Sequence, residues 1–192
     1  MNERRTAAAG PADPKAGGSK ALVIVHSWHH GNTRKVAEAI ARILGAEVRM
    51  PDQVDFESLG EYDLVGFGAG IDSGRQYRPI LDLAERLPPG AGRRAFIFST
   101  CGIPAAFARG REFERQVSDN HSALRSRLLD RGYAIAGEFS CVGFNTNSFL
   151  KYFRGLNKGR PDAADLARAE DFARGLLSAP RGERLEPSRT TR

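Results

Sequence analysis

The sequence that decides the fold is Ala21–Thr33, which reads ALVIVHSWHHGNT. It opens with an apolar run that is too short for a core helix and rich in β-branched residues, a pattern typical of a strand buried on both faces of a parallel sheet. After Thr33 the apolar residues recur at steps of three and four. These residues are Val36, Ala37, Ile40, Ile43 and Leu44. The pattern predicts an amphipathic helix from Arg34 to Leu44.

The turn between this strand and this helix has the character of an anion site. Gly31 allows the backbone to approach a ligand closely. We expect Asn32 or Thr33 to cap the first helical turn with a side-chain oxygen. The free N–H groups of that turn and the positive end of the helix dipole then favour a bound anion.

The rest of the chain alternates between predicted strands and predicted helices. The further strands are Ala46–Met50, Tyr62–Gly68, Arg94–Ser99 and Tyr133–Cys141, and the further helices are Arg78–Leu87, Glu112–Arg131 and Asp162–Leu177. Asp162 and Asp165 resemble a capping box at the start of the last helix. This alternation predicts an α/β domain over residues 20–178, with a doubly wound five-stranded parallel sheet between two helical layers. Residues 1–19 and 179–192 lack periodicity and are interpreted as disordered tails.

The first turn also resembles a known motif. Ser27, followed by Gly31-Asn32-Thr33 at the end of a first strand, is similar to the phosphate-binding loop of the flavodoxin family. One extra residue separates Ser27 from Gly31, and histidines stand where a second hydroxyl is usual. The resemblance covers about residues 20–178. It implies the strand order 2-1-3-4-5, bound FMN, and electron transfer with a redox partner protein or a small-molecule acceptor.

In this family three loops hold the flavin, and they follow the first, third and fourth strands. Here these loops are Ser27–Thr33, Gly68–Arg75 and Ser99–Phe107. The cofactor-binding residues that the resemblance implies are Ser27, Trp28, His29, His30, Gly31, Asn32, Thr33, Gly70, Ile71, Asp72, Ser99, Thr100, Cys101 and Gly102. Glycine-rich loops are often plain turns, but the position of these loops at strand carboxyl ends favours ligand contact. Trp28 either stacks on the ring or covers the loop.

Other nucleotide-binding and signalling motifs are missing from the first turn. It has neither the Gly-Lys-Ser/Thr of a nucleotide P-loop nor a Gly-x-Gly-x-x-Gly dinucleotide fingerprint. A receiver domain needs paired acidic residues at the end of the first strand, where His26 and Ser27 stand. Two alternatives stay open beside an FMN-binding electron carrier. One is an NAD(P)H-dependent FMN or quinone reductase, and the other is a flavin-free signalling or binding module.

The length and composition of the chain exclude several classes of protein. With 192 residues, 41% of them hydrophobic, the chain suits one soluble domain, and no apolar run is long enough to span a membrane. Arg4 and Arg5 are not followed by an apolar segment, so no secretory signal is predicted. Two cysteines cannot form a disulfide framework, which favours a cytoplasmic protein. The net charge of +6 is partly located in the tails and forms no compact basic patch before residue 144, so nucleic-acid binding is not expected.

Three further features have both a structural and a functional interpretation. His121 lies on the apolar stripe of its helix, which favours a hydrogen-bonded core histidine. Cys101 and Cys141 end neighbouring strands, where two reduced structural thiols are favoured over a redox pair. The long connection Val142–Pro161 contains four aromatic residues among several cations. We expect it to cover the flavin, with loop packing and docking of an acidic partner as alternatives.

Overall fold

A computed structural model describes residues 20–28, 30–146 and 155–179 of the chain. The strands are β1 (Ala21–His26), β2 (Glu47–Arg49), β3 (Leu64–Asp72), β4 (Arg75–Gln76), β5 (Arg94–Cys101) and β6 (Ala134–Val142). The helices are α1 (Asn32–Leu44), α2 (Arg78–Arg86), α3 (Gly110–Asp130) and α4 (Ala163–Ser178). The positions and types of all predicted strands and helices are confirmed. The two predicted tails lie outside the described residues, apart from Ala179.

Five strands form a parallel sheet in the order β2-β1-β3-β5-β6, and β4 adds a short antiparallel pairing at the end of β3. If the parallel strands alone are counted, this order is the predicted 2-1-3-4-5. The winding reverses between β1 and β3, which pair in parallel from Ala21 opposite Leu64 to His26 opposite Ala69. Ligands of such sheets bind outside the carboxyl ends of the strands at this reversal.

Apolar side chains cover both faces of the sheet. On one face, α1 and α4 pack over β1, β5 and β6 through residues such as Val36, Ile40 and Ala173. On the other face, α2 and α3 pack through residues such as Ile80 and Leu124. Among these residues Val36, Ile40, Ile80 and Leu124 are fully buried, and truncating one such large side chain to alanine typically costs about 2–5 kcal/mol.

The glycine-rich segment after the predicted third strand is not a loop, so that prediction was wrong. β3 continues to Asp72, and a tight turn at Ser73 and Gly74 leads into β4. The glycines in β3 make room for side chains of the next strand. A Cβ atom on Gly66 would lie 2.1 Å from the ring of Phe96, and one on Gly68 would lie 2.1 Å from the ring of Phe98.

Two other local predictions have different outcomes. The predicted capping box of α4 is confirmed, since the Asp162 side chain accepts a hydrogen bond from the Asp165 N–H (2.9 Å) and the Asp165 side chain accepts one from the Asp162 N–H (3.2 Å). The predicted loop that starts at Ser99 is wrong at its beginning. Residues 99–101 belong to β5, whose parallel pairing with β6 continues to Cys101 opposite Val142.

Candidate functional site

The turn between β1 and α1 lies at the carboxyl edge of the sheet. Gly31 has a φ of 65°, a left-handed conformation that suits glycine, and it takes the N-cap position without any side-chain hydrogen bond to the helix. The prediction that Asn32 or Thr33 caps the helix is therefore wrong, because both residues belong to the first turn and their side chains bond elsewhere. The N–H groups of that turn are left available to an anion.

Thr33 joins this turn to the middle of the sheet. Its hydroxyl lies 2.8 Å from the hydroxyl of Thr100 near the end of β5, and both residues are buried. Gly70 of β3 lies beside this pair, since a Cβ atom on Gly70 would be 3.9 Å from Thr33 Oγ1. That atom would also be 2.7 Å from the ring of Tyr77. These contacts bring residues of α1, β3 and β5 to one place.

The segment after β6 closes over the same turn. Asn32 Nδ2 donates to the carbonyl oxygen of Phe144 (2.8 Å), and His30 Nε2 lies 2.8 Å from Thr146 Oγ1. The rings of His30 and Phe144 are 4.5 Å apart between centroids. Gly143 permits this close approach, because a Cβ atom there would lie 2.7 Å from Asn32 Nδ2.

One side chain fixes the segment after β6 against the loop after β5. Asn157 Nδ2 donates to the carbonyl oxygens of Ile103 (2.6 Å) and Gly143 (3.3 Å), while Asn157 Oδ1 accepts from the N–H of Ala105 (3.0 Å). Asn145 Nδ2 donates to the carbonyl oxygen of Gly102 (3.2 Å). The two loops therefore form one wall at the carboxyl edge.

These elements form the walls of a cleft that is open to solvent. Its volume is about 410 Å³ when the space at the open side is counted. The cleft is lined by Trp28, Asn32, Thr33, Gly70, Ile71, Tyr77, Thr100, Cys101, Gly102, Gly143, Phe144 and Asn145. Eight of these residues belong to the cofactor-binding set that the sequence predicts. Segments that are far apart in the chain thus meet at the predicted edge of the sheet.

The other predicted residues lie outside this lining. Ser27, His30 and Gly31 belong to the turn behind Asn32, and Asp72 is exposed at the tip of the β3–β4 hairpin. His29 lies outside the described residues. Contacts of all these residues with a cofactor stay a prediction.

Five buried polar side-chain atoms of the described residues have no hydrogen-bond partner; three belong to Gln76 and Tyr133, and the other two lie in the turn before α1 and its first helical residue. Within the described part of the chain, Ser27 Oγ and Asn32 Oδ1 are buried and form no hydrogen bond. An unsatisfied buried polar atom costs about 1–3 kcal/mol. A polar ligand that reached these atoms would remove that cost. Ser27 Oγ can donate to a ligand oxygen, whereas Asn32 Oδ1 can only accept and needs a donor such as a ligand hydroxyl.

Two titratable side chains that line the cleft, Tyr77 and Cys101, are uncharged near neutral pH. Burial raises the pKa of Tyr77, with a smaller contribution in the same direction from Asp72. Burial also raises the pKa of the Cys101 thiol, so this sulfur stays protonated near neutral pH. The cleft therefore presents hydroxyl, amide and thiol groups together with the N–H groups of α1.

The hydroxyl of Ser99 is on the opposite face of the sheet from the hydroxyl of Thr100. Ser99 Oγ lies 2.8 Å from His121 Nε2 and 2.9 Å from Ser140 Oγ. The other ring nitrogen of His121 lies 2.9 Å from Glu138 Oε2. His121 is fully buried, which confirms the prediction of a hydrogen-bonded core histidine. A part for Ser99 in cofactor binding stays a prediction, and its side chain is directed into this network.

Glu138 is the ionised carboxylate of this network. Burial acts to raise the pKa of Glu138, but hydrogen bonds from Arg125 and His121 outweigh burial and lower that pKa to about 2. Arg125 bonds both carboxylate oxygens, at 2.5 Å and 2.8 Å. Ionised Glu138 can only accept hydrogen bonds, so the N–H group at His121 Nδ1 donates the hydrogen bond between the two residues.

The two cysteines are on opposite faces of the sheet. In the register of β5 and β6, Thr100 stands opposite Cys141 and Cys101 stands opposite Val142. Successive side chains of a strand point to opposite faces, so the two sulfur atoms are separated by the sheet. Both thiols are free and buried. This arrangement supports the interpretation as two reduced structural thiols.

Sequence reasoning missed Tyr77 as a residue of the cleft, and it did not single out Gly143 and Asn145, although both lie in the connection Val142–Pro161 that was expected to cover the flavin. Gly143 and Asn145 directly follow β6, so the rule that selected the other loops would have selected them as well. No comparable signal marks Tyr77, which reaches the cleft because the unpredicted hairpin turns the chain back. Of the predicted covering segment, residues 147–154 lie outside the described residues.

Residues 20–28, 30–146 and 155–179 contain no group of three or more His, Cys, Asp or Glu side chains arranged to hold a metal ion. Within the same ranges, no helix is long and apolar enough to cross a membrane.

The fold and the cleft define a flavodoxin-like α/β protein. A family model described as a flavodoxin domain matches residues 23–129, which is more than half of the chain. The chain therefore belongs to the flavodoxin domain family.

Individual comparisons give one sequence relative and two proteins of similar fold. An uncharacterized protein of Methanocaldococcus jannaschii is 38% identical over 158 residues, covering 82% of this chain and 98% of that protein. The fold is similar to that of oxidised flavodoxin 1 from Bacillus cereus, with a TM-score of 0.58, 18% identity, and coverage of 84% of this chain and 99% of that one. It is also similar to a flavodoxin of Streptococcus pneumoniae, with a TM-score of 0.53, 19% identity, and coverage of 81% and 97%.

Proposed function

We propose that this protein binds FMN in the cleft and transfers electrons between redox partners. The observation that carries the proposal is the uncapped first turn of α1 beside the unpartnered buried oxygens of Ser27 and Asn32. A terminal phosphate would accept from the N–H groups of the turn and from the hydroxyl of Ser27, where the helix dipole favours negative charge. Membership of the flavodoxin domain family supports the same cofactor.

The remaining cleft residues fit a flat ring. Gly70 and Gly102 leave backbone groups accessible, and Trp28 and Tyr77 supply aromatic surface. When bound, FMN supplies the redox chemistry, while the chain binds it, orients it and limits access of water. Phe144 covers the phosphate end together with His30. We propose that the segment that begins at Gly143 shields the cofactor.

The test begins with the purified protein freed of flavin and titrated with FMN, riboflavin and FAD by calorimetry. We expect FMN to bind at least tenfold more tightly than riboflavin, because riboflavin lacks the phosphate. Ser27→Ala removes one hydrogen bond to a charged group, so the affinity for FMN falls about tenfold and that for riboflavin is unchanged. Equal losses for the two ligands, or failure of the wild-type protein to bind FMN, would contradict the proposal.

Ser122→Ala is the matched control. It removes an equally small hydroxyl from the exposed side of α3, where that hydroxyl donates to the carbonyl oxygen of Asp119. We expect this variant to keep the wild-type affinities for FMN and riboflavin. A steady-state assay with NADPH and a neutral quinone then separates a carrier, which gives no turnover alone, from an NAD(P)H-dependent reductase.

A further inference from the structure

Two large apolar side chains are exposed in segments that leave the carboxyl edge of the sheet. Trp28 follows β1 and is 72% exposed, and Phe107 follows β5 and is 70% exposed. They are the most exposed large hydrophobic residues in the part of the chain that the structure describes. Aromatic residues with this exposure are enriched where proteins contact their partners.

Unpaired cations surround these aromatic residues. Arg75, Arg109, Arg111 and Lys158 are exposed, and none of them forms an ion pair or a side-chain hydrogen bond with another described residue. Many cations elsewhere on the described surface are in ion pairs, although Lys35 of α1 is exposed and forms none. Examples of the pairs are Arg34 with Glu38, Arg49 with Glu47, and Arg174 with Glu170 and Asp171. The cations at the rim are therefore free to meet an external anion.

Contacts within the fold bring these groups to one edge of the molecule. The bonds of Asn157 to Ile103 and Ala105 place Lys158 beside the loop that carries Phe107 and Arg109. Ile71 packs into one apolar cluster with Ile103, Ala105 and Ala108, so the hairpin that carries Arg75 flanks the same loop. We call this surface the basic rim: Trp28, Arg75, Phe107, Arg109, Arg111 and Lys158.

Two carboxylates near the basic rim, Asp72 and Glu114, form no ion pair with another described residue, and Glu114 lines a groove together with Arg109. They offset only part of the charge of the four cations. Asp72 is the acidic residue of the three loops that follow the first, third and fifth strands along the chain. Glu112 is close in sequence to Arg109 and Arg111, but it pairs with Arg115 at 3.6 Å. A cationic rim around a cleft raises the local concentration of negatively charged partners and their rate of association.

We infer that the basic rim docks an acidic redox protein, with the cleft facing that partner. The inference rests on the proposed function, because an electron carrier needs its cofactor edge close to the partner. Arginine forms bidentate hydrogen bonds with carboxylates, so Arg109 and Arg111 suit an acidic surface. Trp28 and Phe107 supply the apolar contact at the centre.

The test uses the FMN-loaded full chain and two small redox proteins of opposite charge. The acidic probe is a plant-type [2Fe–2S] ferredoxin, and the basic probe is cytochrome c. Calorimetry at low and at high ionic strength should detect binding to the ferredoxin that weakens at least tenfold with added salt. We expect no comparable binding to cytochrome c.

Charge-reversal variants test whether the ferredoxin binds at the basic rim. Arg109→Glu with Lys158→Glu should weaken ferredoxin binding at least tenfold at low ionic strength while leaving FMN affinity unchanged. Arg86→Glu with Arg174→Glu is the matched control, because it changes the net charge equally at exposed cations in the last turn of α2 and on α4, away from the basic rim. The control variant should bind ferredoxin within twofold of the wild-type protein.

Three results would overturn the inference while FMN still binds. They are stronger binding to cytochrome c, equal losses in the two double variants, and equally tight binding to vesicles that contain phosphatidylserine. The last result would identify a general polyanion surface. A protein that binds no FMN would instead refute the proposed function, and the inference with it.

Discussion

Ser99 and Thr100 are consecutive hydroxyl residues of β5, and their surroundings on the two faces of the sheet differ. The Ser99 hydroxyl joins a closed network with His121, Ser140, Glu138 and Arg125. The Thr100 hydroxyl bonds Thr33 at a cleft whose neighbouring turn contains unpartnered buried oxygens. A satisfied network stabilises the fold, whereas unsatisfied atoms at a cleft indicate a ligand. The two faces should therefore respond to mutation in different measurements.

The largest effect on stability should come from His121→Leu. This change leaves Ser99 Oγ and Glu138 Oε2 without their shared partner in a buried setting, so the free energy of unfolding should fall by about 3–5 kcal/mol. Urea denaturation measures that loss, and titration with FMN under native conditions should give the wild-type affinity. A strong loss of FMN affinity in a folded variant would show that the two faces are coupled.

The next effect is a dependence of stability on pH. Because the pKa of Glu138 is lowered to about 2, ionised Glu138 stabilises the folded state above its ordinary pKa of 4.5. That contribution, at most about 3 kcal/mol, is lost as the pH falls from about 5 to about 2. The difference in unfolding free energy between wild type and Glu138→Gln should narrow over this range. If the difference in unfolding free energy stayed constant from pH 7 to pH 2.5, the lowered pKa of Glu138 in the folded state would be refuted.

On the cleft face, Thr33→Val should act mainly on the ligand. The isosteric change removes a hydroxyl beside the proposed phosphate position, so the dissociation constant for FMN should rise by about tenfold to a hundredfold, or about 1.5–3 kcal/mol. The affinity for riboflavin should change little, which a parallel titration checks. If riboflavin loses as much affinity as FMN, Thr33 acts through the shape of the cleft instead.

The smallest expected effect concerns the two cysteines. Since Cys101 and Cys141 are on opposite faces and their thiol pKa values are raised by burial, a mild oxidant such as diamide should form no disulfide between them. Mass spectrometry of the native protein after oxidation should find two free thiols. A mass loss of two hydrogens with a linked Cys101–Cys141 peptide would contradict the register.

The sequence predicts elements whose signal is local. The stripe of Val36, Ala37 and Ile40 identifies α1, and the short apolar run before Ser27 identifies β1, because both patterns reflect burial of one stretch. The strand order and the eight predicted residues that line the cleft were instead implied by the resemblance of the first turn to the flavodoxin family.

Features that depend on distant residues could not be predicted in this way. The glycine-rich segment from Gly68 suggests a loop, but the ring of Phe98 fills the space above Gly68 and the strand continues. Asn32 or Thr33 was expected to cap helix α1. The side-chain amide of Asn32 instead donates to the carbonyl oxygen of Phe144, which is 112 positions away in the chain. In both cases the partner is set by the sheet order, which no local pattern contains.

The paired backbone of Asn145 and Leu156 has a consequence for protein engineering. Two hydrogen bonds, at 2.9 Å and 2.7 Å, join these residues across the base of the segment between Thr146 and Gly155. A foreign domain inserted there would begin and end at neighbouring points of the scaffold, next to the cleft. A fluorescent protein or a peptide-binding module with adjacent termini would therefore meet the geometric requirement for a genetically encoded reporter of cleft occupancy.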